Sequence, residues 1–77
     1  MQTLAEVEEG KSVRIVEIMG GYGLISRLLR LGIIKGVVVS VVRNRGPVVL
    51  RFGDSIFAIG RGMAMKILVE EVVRVEQ

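Results

Sequence analysis

A chain of 77 residues has room for one core, and at this length only about 60% of the unfolded surface is buried on folding. Half of it is hydrophobic (51%), 22 residues are Val or Ile, and Cys and His are absent, which favours a β-rich core and excludes disulfides, thiolate metal sites and the usual nucleophile and base. The net charge of +3 is unevenly spread: residues 1–10 carry −3, residues 67–77 carry −2 and residues 11–66 carry +8.

In chain order, Thr3 to Gly10 predicts a short helix or turn closed by glycine. Ser12 to Met19 is a β-branched run with Val13 and Ile15 on one face and Val16 and Ile18 on the other, so it predicts a strand buried on much of both sides. Gly20-Gly21 breaks it. From Tyr22 to Leu31 the period changes, with Leu24, Leu28 and Leu31 at i, i+4 and i+7 and Ser26, Arg27 and Arg30 opposite. This predicts one amphipathic helix, and Gly32 stands where a left-handed C-terminal cap belongs. Tyr22, Ile25, Leu29 and Arg30 fall on the margin of that helix, away from the centre of its apolar stripe.

After the Gly32–Gly36 connection, Val37 to Arg43 predicts a strand with Val37, Val39 and Val41 on one face and Ser40 on the other. Asn44 to Pro47 is a turn. Val48 to Phe52 points Val48, Leu50 and Phe52 inward, and Gly53-Asp54 closes a hairpin into Ser55–Ile59. Phe57 and Ile59 extend the same core face. Gly60 to Lys66 is short enough to form a single helical turn before a last strand near Ile67–Val69. Five short strands joined by tight turns predict a small barrel, one domain over residues 1–77, with the helix plugging an open end.

The residues offer little chemistry. Glu8/Glu9 and Glu70/Glu71 are sequence neighbours, which on a strand face opposite ways and cannot act on one bond. No loop carries the spaced oxygen ligands of a hard-cation site, and Met19, Met63 and Met65 lack His or Cys beside them. The glycines around Tyr22 lack the following Lys-Ser/Thr of a phosphate loop. Both phenylalanines point inward by alternation, leaving Tyr22 alone to stack on a base beside Arg43, Arg45 and Arg51. No run approaches the roughly 20 apolar residues of a membrane span, and Met1–Gly10 is acidic where a signal peptide is basic. These features predict a cytoplasmic, non-enzymatic protein that works by contact, with no metal residues and no membrane insertion.

The order Gly20-Gly21, Arg27-Leu28, Leu31-Gly32-Ile33, Gly36, Gly46-Pro47, Ala58-Ile59, Arg61, Ala64 and Ile67 resembles the FeoA family of ferrous iron transport proteins over about residues 3–70. The most specific stretches are R-L-L-x-L-G-I-x-x-G from Arg27 to Gly36 and A-I-x-R-x-x-A-x-x-I from Ala58 to Ile67. Two departures stand out: Lys35 where the family often has proline, and Gly60 where it often has arginine. The resemblance implies a mostly β fold, a five-stranded SH3-like barrel with a helix after the first strand and a helical turn before the last. It also implies a regulatory role in ferrous iron uptake through a FeoB-type GTPase transporter, which would bring the protein to the inner membrane as a peripheral partner. The candidate contacts are Tyr22, Ile25, Leu29 and Arg30, set against ordinary helix packing for the same residues. Two alternatives stay open: a nucleic-acid-binding barrel steered by the basic middle, though nucleic acid is the less favoured partner, and a metal-sensing module binding Fe2+ or Zn2+ weakly through carboxylates of two chains. Self-association through the Val-rich strands is a further expectation.

Overall fold

The computed structural model describes residues 1–73. Its elements are β1 (Gln2–Thr3), a 3-10 turn (Leu4–Glu6), β2 (Ser12–Ile18), α1 (Tyr22–Arg30), β3 (Val38–Asn44), β4 (Val48–Phe52), β5 (Ser55–Ile59), α2 (Arg61–Ala64) and β6 (Ile67–Glu71). The strands form one antiparallel sheet in the order β1-β6-β2-β3-β4-β5. Strands β2 to β5 are neighbours in both sequence and space, whereas β6 returns to lie between β1 and β2. The expected class holds: mostly β, one amphipathic helix inserted between strands, and a helical turn before the last strand. Two details differ from the expectation. Among the described residues the strands number six, because the two residues of β1 pair with β6 (Gln2 opposite Val69, Thr3 opposite Leu68), and the sheet is not closed, since β1 and β5, at its two ends, do not pair with each other. The extra strand rests on only two cross-strand pairs, too few to leave a period in the sequence. Arg74 and Glu76, which entered the charge division, lie outside the described residues.

The core is built from one face of each strand. Val13, Ile15, Val39, Val41, Val48, Leu50, Ile67 and Val69 are buried from the strands, and Leu4, Val7, Leu28, Ile33 and Ala64 close over them from the connections. Two bulges set which residues join this face. In β2 the pairing steps from Ile15 opposite Val69 to Glu17 opposite Leu68, so Val16 and Glu17 together face one residue. Simple alternation placed Ile18 across the sheet from Ile15. The bulge restores Ile18 to the core side, opposite the buried Ile67, and leaves Val16 half-buried. In β3 a similar step between Val41 and Arg43 leaves Arg43 exposed beside Val42, where simple alternation would put it on the Val41 face, and brings Asn44 opposite the buried Val48.

The turns follow from glycine where the backbone reverses. Gly53 has φ +61 as the first central residue of the two-residue β4–β5 hairpin, the position where a type II′ turn requires it. Gly32 has φ +83 just beyond the end of α1. There the Ile33 N–H donates to the Leu28 carbonyl (2.9 Å) and the Gly32 N–H to that of Leu29 (2.9 Å), the paired bonds of a Schellman cap with Ile33 and Leu28 both buried. This reversal corrects the reading of Leu31. The residue sits in the cap with φ −91 and ψ −2 and is 43% exposed, while Ile33 takes the inward place that periodicity gave to Leu31.

Candidate functional site

Helix α1 shows two apolar surfaces. Leu28 is buried and Leu24 packs against the core, but Tyr22 is 88% exposed, Leu29 58% and Ile25 41%. These three lie within about 60° of one another at 100° per residue, so they form one stripe along the helix. Beside it runs the chain leaving the Schellman cap, where Ile33 turns in and Ile34 stays 46% exposed. Between the helix and this connection lies a groove of about 330 Å3, lined by Glu17, Ile18, Ile25, Leu29, Ile33, Ile34 and Lys35. Its floor is aliphatic and its rim carries one ion pair, Lys35 Nζ to Glu17 Oε2 at 3.3 Å. Arg27 and Arg30 occupy the last turn of α1, where positive charge complements the carbonyl end of the helix dipole.

Of the four contact residues expected from the sequence, Ile25 and Leu29 line the groove, while Tyr22 and Arg30 are exposed outside its lining. Ile34 and Lys35 were missed because Gly32–Gly36 reads as a plain connection. A usable signal was present: along an extended stretch adjacent side chains point to opposite sides, which sets one of Ile33 and Ile34 outward. The motif residues serve the framework that holds this surface. A Cβ at Gly20 would collide with the Leu24 side chain, the Gly21 carbonyl accepts from the N–H groups of Leu24 and Ile25, and Leu28, Ala64 and Ile67 are buried. Gly36 (φ +95) donates its N–H to Ile15 at 2.8 Å, and Gly46 (φ +126) lies in the β3–β4 turn beside the exposed Pro47. Arg27 and Ala58 are exposed. Gly60 caps α2 with an extended backbone (φ −64, ψ 149).

A polar clasp gathers at the other motif arginine. The Asn44 side-chain amide donates to the carbonyls of Ala5 (2.9 Å) and Val7 (2.7 Å). Arg61 in turn donates to Asn44 Oδ1 (2.7 Å), the Gly46 carbonyl (2.7 Å) and the Ala5 carbonyl (3.2 Å), and Glu9 accepts from the Asn44 backbone N–H (2.8 Å). Asn44 ends β3 and does more than turn the chain: it ties the 3-10 segment, the β3–β4 turn and α2 together. Every bond in the clasp is spent inside the protein, so it is framework.

The carboxylates are largely engaged by cations. Glu71 pairs with Lys11 (3.3 Å), Glu70 with Arg14 (3.3 Å) and Glu9 with Arg45 (3.5 Å). Among the described residues no three Asp or Glu gather in a metal-holding group. Glu6 accepts from the Thr3 N–H at 2.8 Å, and this bond holds its carboxyl below the usual range. Met63 packs against the core, while Met19 and Met65 are about half exposed. Phe52 and Phe57 also pack against the core.

Residues 2–71 match the family model described as the FeoA domain. The chain belongs to the FeoA family. It is 44% identical over 72 residues to the Methanocaldococcus jannaschii protein named "Putative Fe(2+) transport protein A", covering 92% of this chain and 88% of that protein. Among solved structures, the crystal structure of an iron uptake regulatory protein (FeoA) superposes with a TM-score of 0.85 at 30% identity, covering 92% of this chain and 96% of that one. A manganese-dependent transcriptional repressor superposes equally well (TM-score 0.85) at 16% identity, with 92% of this chain covering 41% of its length. That last likeness is one of fold alone, and it shows the same SH3-like FeoA architecture serving as part of a longer chain.

Proposed function

We propose that this FeoA-family chain is a small regulatory accessory of ferrous iron uptake that binds a FeoB-type GTPase transporter through helix α1. The observation that supports this reading is the exposed stripe of Tyr22, Ile25 and Leu29 bordering an aliphatic groove. Contiguous exposed apolar surface of this kind marks contact sites, and helix-and-groove surfaces are a recurring way to hold a partner segment. The protein acts by contact and not by catalysis. Among the described residues no helix is long and apolar enough to cross a membrane, so its place at the membrane comes from the transporter. The test is Leu29→Asp measured against the purified transporter. Leu29 is more than half exposed, so stability falls by only about 1 kcal/mol, from the lower helix propensity of Asp and its charge near the carbonyl end of α1, whereas affinity falls at least about tenfold, the loss of one 1.4 kcal/mol contact. Unchanged affinity in a folded variant removes α1 as the contact.

A further inference from the structure

The sheet has two ends, and they differ. At one end β1 is two residues long. At the other, β5 presents five residues, Ser55-Ile56-Phe57-Ala58-Ile59, without a charge or a proline. Natural sheets blunt such edges with lysine, proline or a cover, and β5 has none of these. Its pairing with β4 fixes which backbone groups are free. The two-residue turn makes Phe52 and Ser55 a hydrogen-bonded pair, and alternation along the ladder makes Leu50–Phe57 and Val48–Ile59 hydrogen-bonded pairs as well. The N–H and C=O groups of Ile56 and Ala58 therefore point away from β4. Among the described residues no backbone partner meets them. The Ile56 side chain is 57% exposed and Ala58 is exposed.

We propose that this edge is the interface for a second copy of the chain, with β5 pairing antiparallel to β5 of its twin about a twofold axis at Phe57. This register sets Ile56 opposite Ala58 of the twin and the reverse, so each copy's free donors and acceptors meet their complements in four N–H···O=C bonds. Phe57 meets Phe57 on the inner face at a non-hydrogen-bonded pair, where side chains approach most closely. On the outer face Ile56 packs against the small Ala58. The self-match in hydrogen bonds and the lack of charge argue for a like strand as occupant, because nothing along β5 meets a like charge when it meets itself. The twofold contact closes on itself, and the short β1 edge offers no site for further growth. The assembly is a dimer and not a fibre.

Analytical ultracentrifugation over a concentration series, with hydrogen exchange at the lowest and highest concentrations, tests this. The parent chain shifts from monomer to dimer as concentration rises, and the amides of Ile56 and Ala58 become protected in step. Ile56→Pro removes an N–H that β4 does not use, a change an edge strand tolerates; it stays folded by circular dichroism and sediments as a monomer throughout. Ile56→Lys keeps the N–H but adds the charge that guards edges elsewhere, and weakens the dimer at least tenfold. A parent chain that remains monomeric at every concentration overturns the proposal and leaves the edge to a strand from a different protein. A folded Ile56→Pro that still dimerises overturns it too, and if Ile56→Pro unfolds, an unaltered dimer in Ile56→Lys does the same.

Discussion

Gly32 meets two demands that no other residue satisfies together. Its φ of +83 lies in the left-handed region, and a Cβ there would stand 2.9 Å from Phe52 Cε2. Gly32→Ala is therefore expected to cost about 1–2 kcal/mol for the backbone alone, read as a lower midpoint in urea. Gly23→Ala has the opposite sign: Gly23 lies within α1 with open space around its Cα, so a methyl group stabilises by up to about 1 kcal/mol. Asn44→Ala leaves the carbonyl of Val7 without its donor and that of Ala5 with Arg61 alone, at a cost of about 1–3 kcal/mol, while the groove beside α1 is untouched. Glu6 carries a pH signature. Because the Thr3 bond lowers its folded-state pKa, that bond contributes fully above the ordinary carboxylate value of the unfolded chain. The contribution is lost as pH falls through the lowered value. The Thr3 amide resonance is expected to move only at acid pH, and not at all in Glu6→Gln.

The strands and α1 were readable because each carries its own period. Alternating Val and Leu in Val48–Leu50 and the i, i+4 spacing of Leu24 and Leu28 report burial without reference to any other element, and both pairs pack on or in the core. The bulges were not readable, because an inserted residue is defined by what lies across from it. Val16 fits a regular strand as well as a bulged one, and only Leu68 facing both Val16 and Glu17 distinguishes them. The same reason hid the groove: its far wall, Ile33 and Ile34, is set by where the Schellman cap sends the chain, so only the helical wall, Ile25 and Leu29, could be named in advance. The bulge makes a prediction that alternation does not. Ile18→Ala opens a cavity beside Ile67 and costs about 2–5 kcal/mol, whereas Val16→Thr, half-buried on the other side, changes stability by about 1 kcal/mol or less. Thermal denaturation of the pair separates the two registers.

Across the whole molecule, the acidic ends fold onto the basic body through Lys11–Glu71, Arg14–Glu70 and Arg45–Glu9. The sequence shows the opposed charges but not their pairing, which for Glu70 and Glu71 depends on β6 lying against β2 and for Glu9 on the β3–β4 turn reaching the segment before β2. Each of these pairs is well exposed to solvent, where an ion pair contributes about 0–1 kcal/mol and is screened by salt. Raising sodium chloride is therefore expected to move the melting temperature only slightly. The position of β6 reaches further than charge. This late strand occupies an interior place in the sheet, flanked on one side by β1 and on the other by β2. While the chain is being made, β3, β4 and β5 can pair as they emerge from the ribosome, but β1 stays without a neighbour and β2 lacks one of its two until Ile67–Glu71 leave the exit tunnel. Pairings this distant in sequence are slow to form. The nascent chain thus spends most of its synthesis with the faces of β1 and β2 incomplete, and assembly of the sheet is finished only after translation has passed β6.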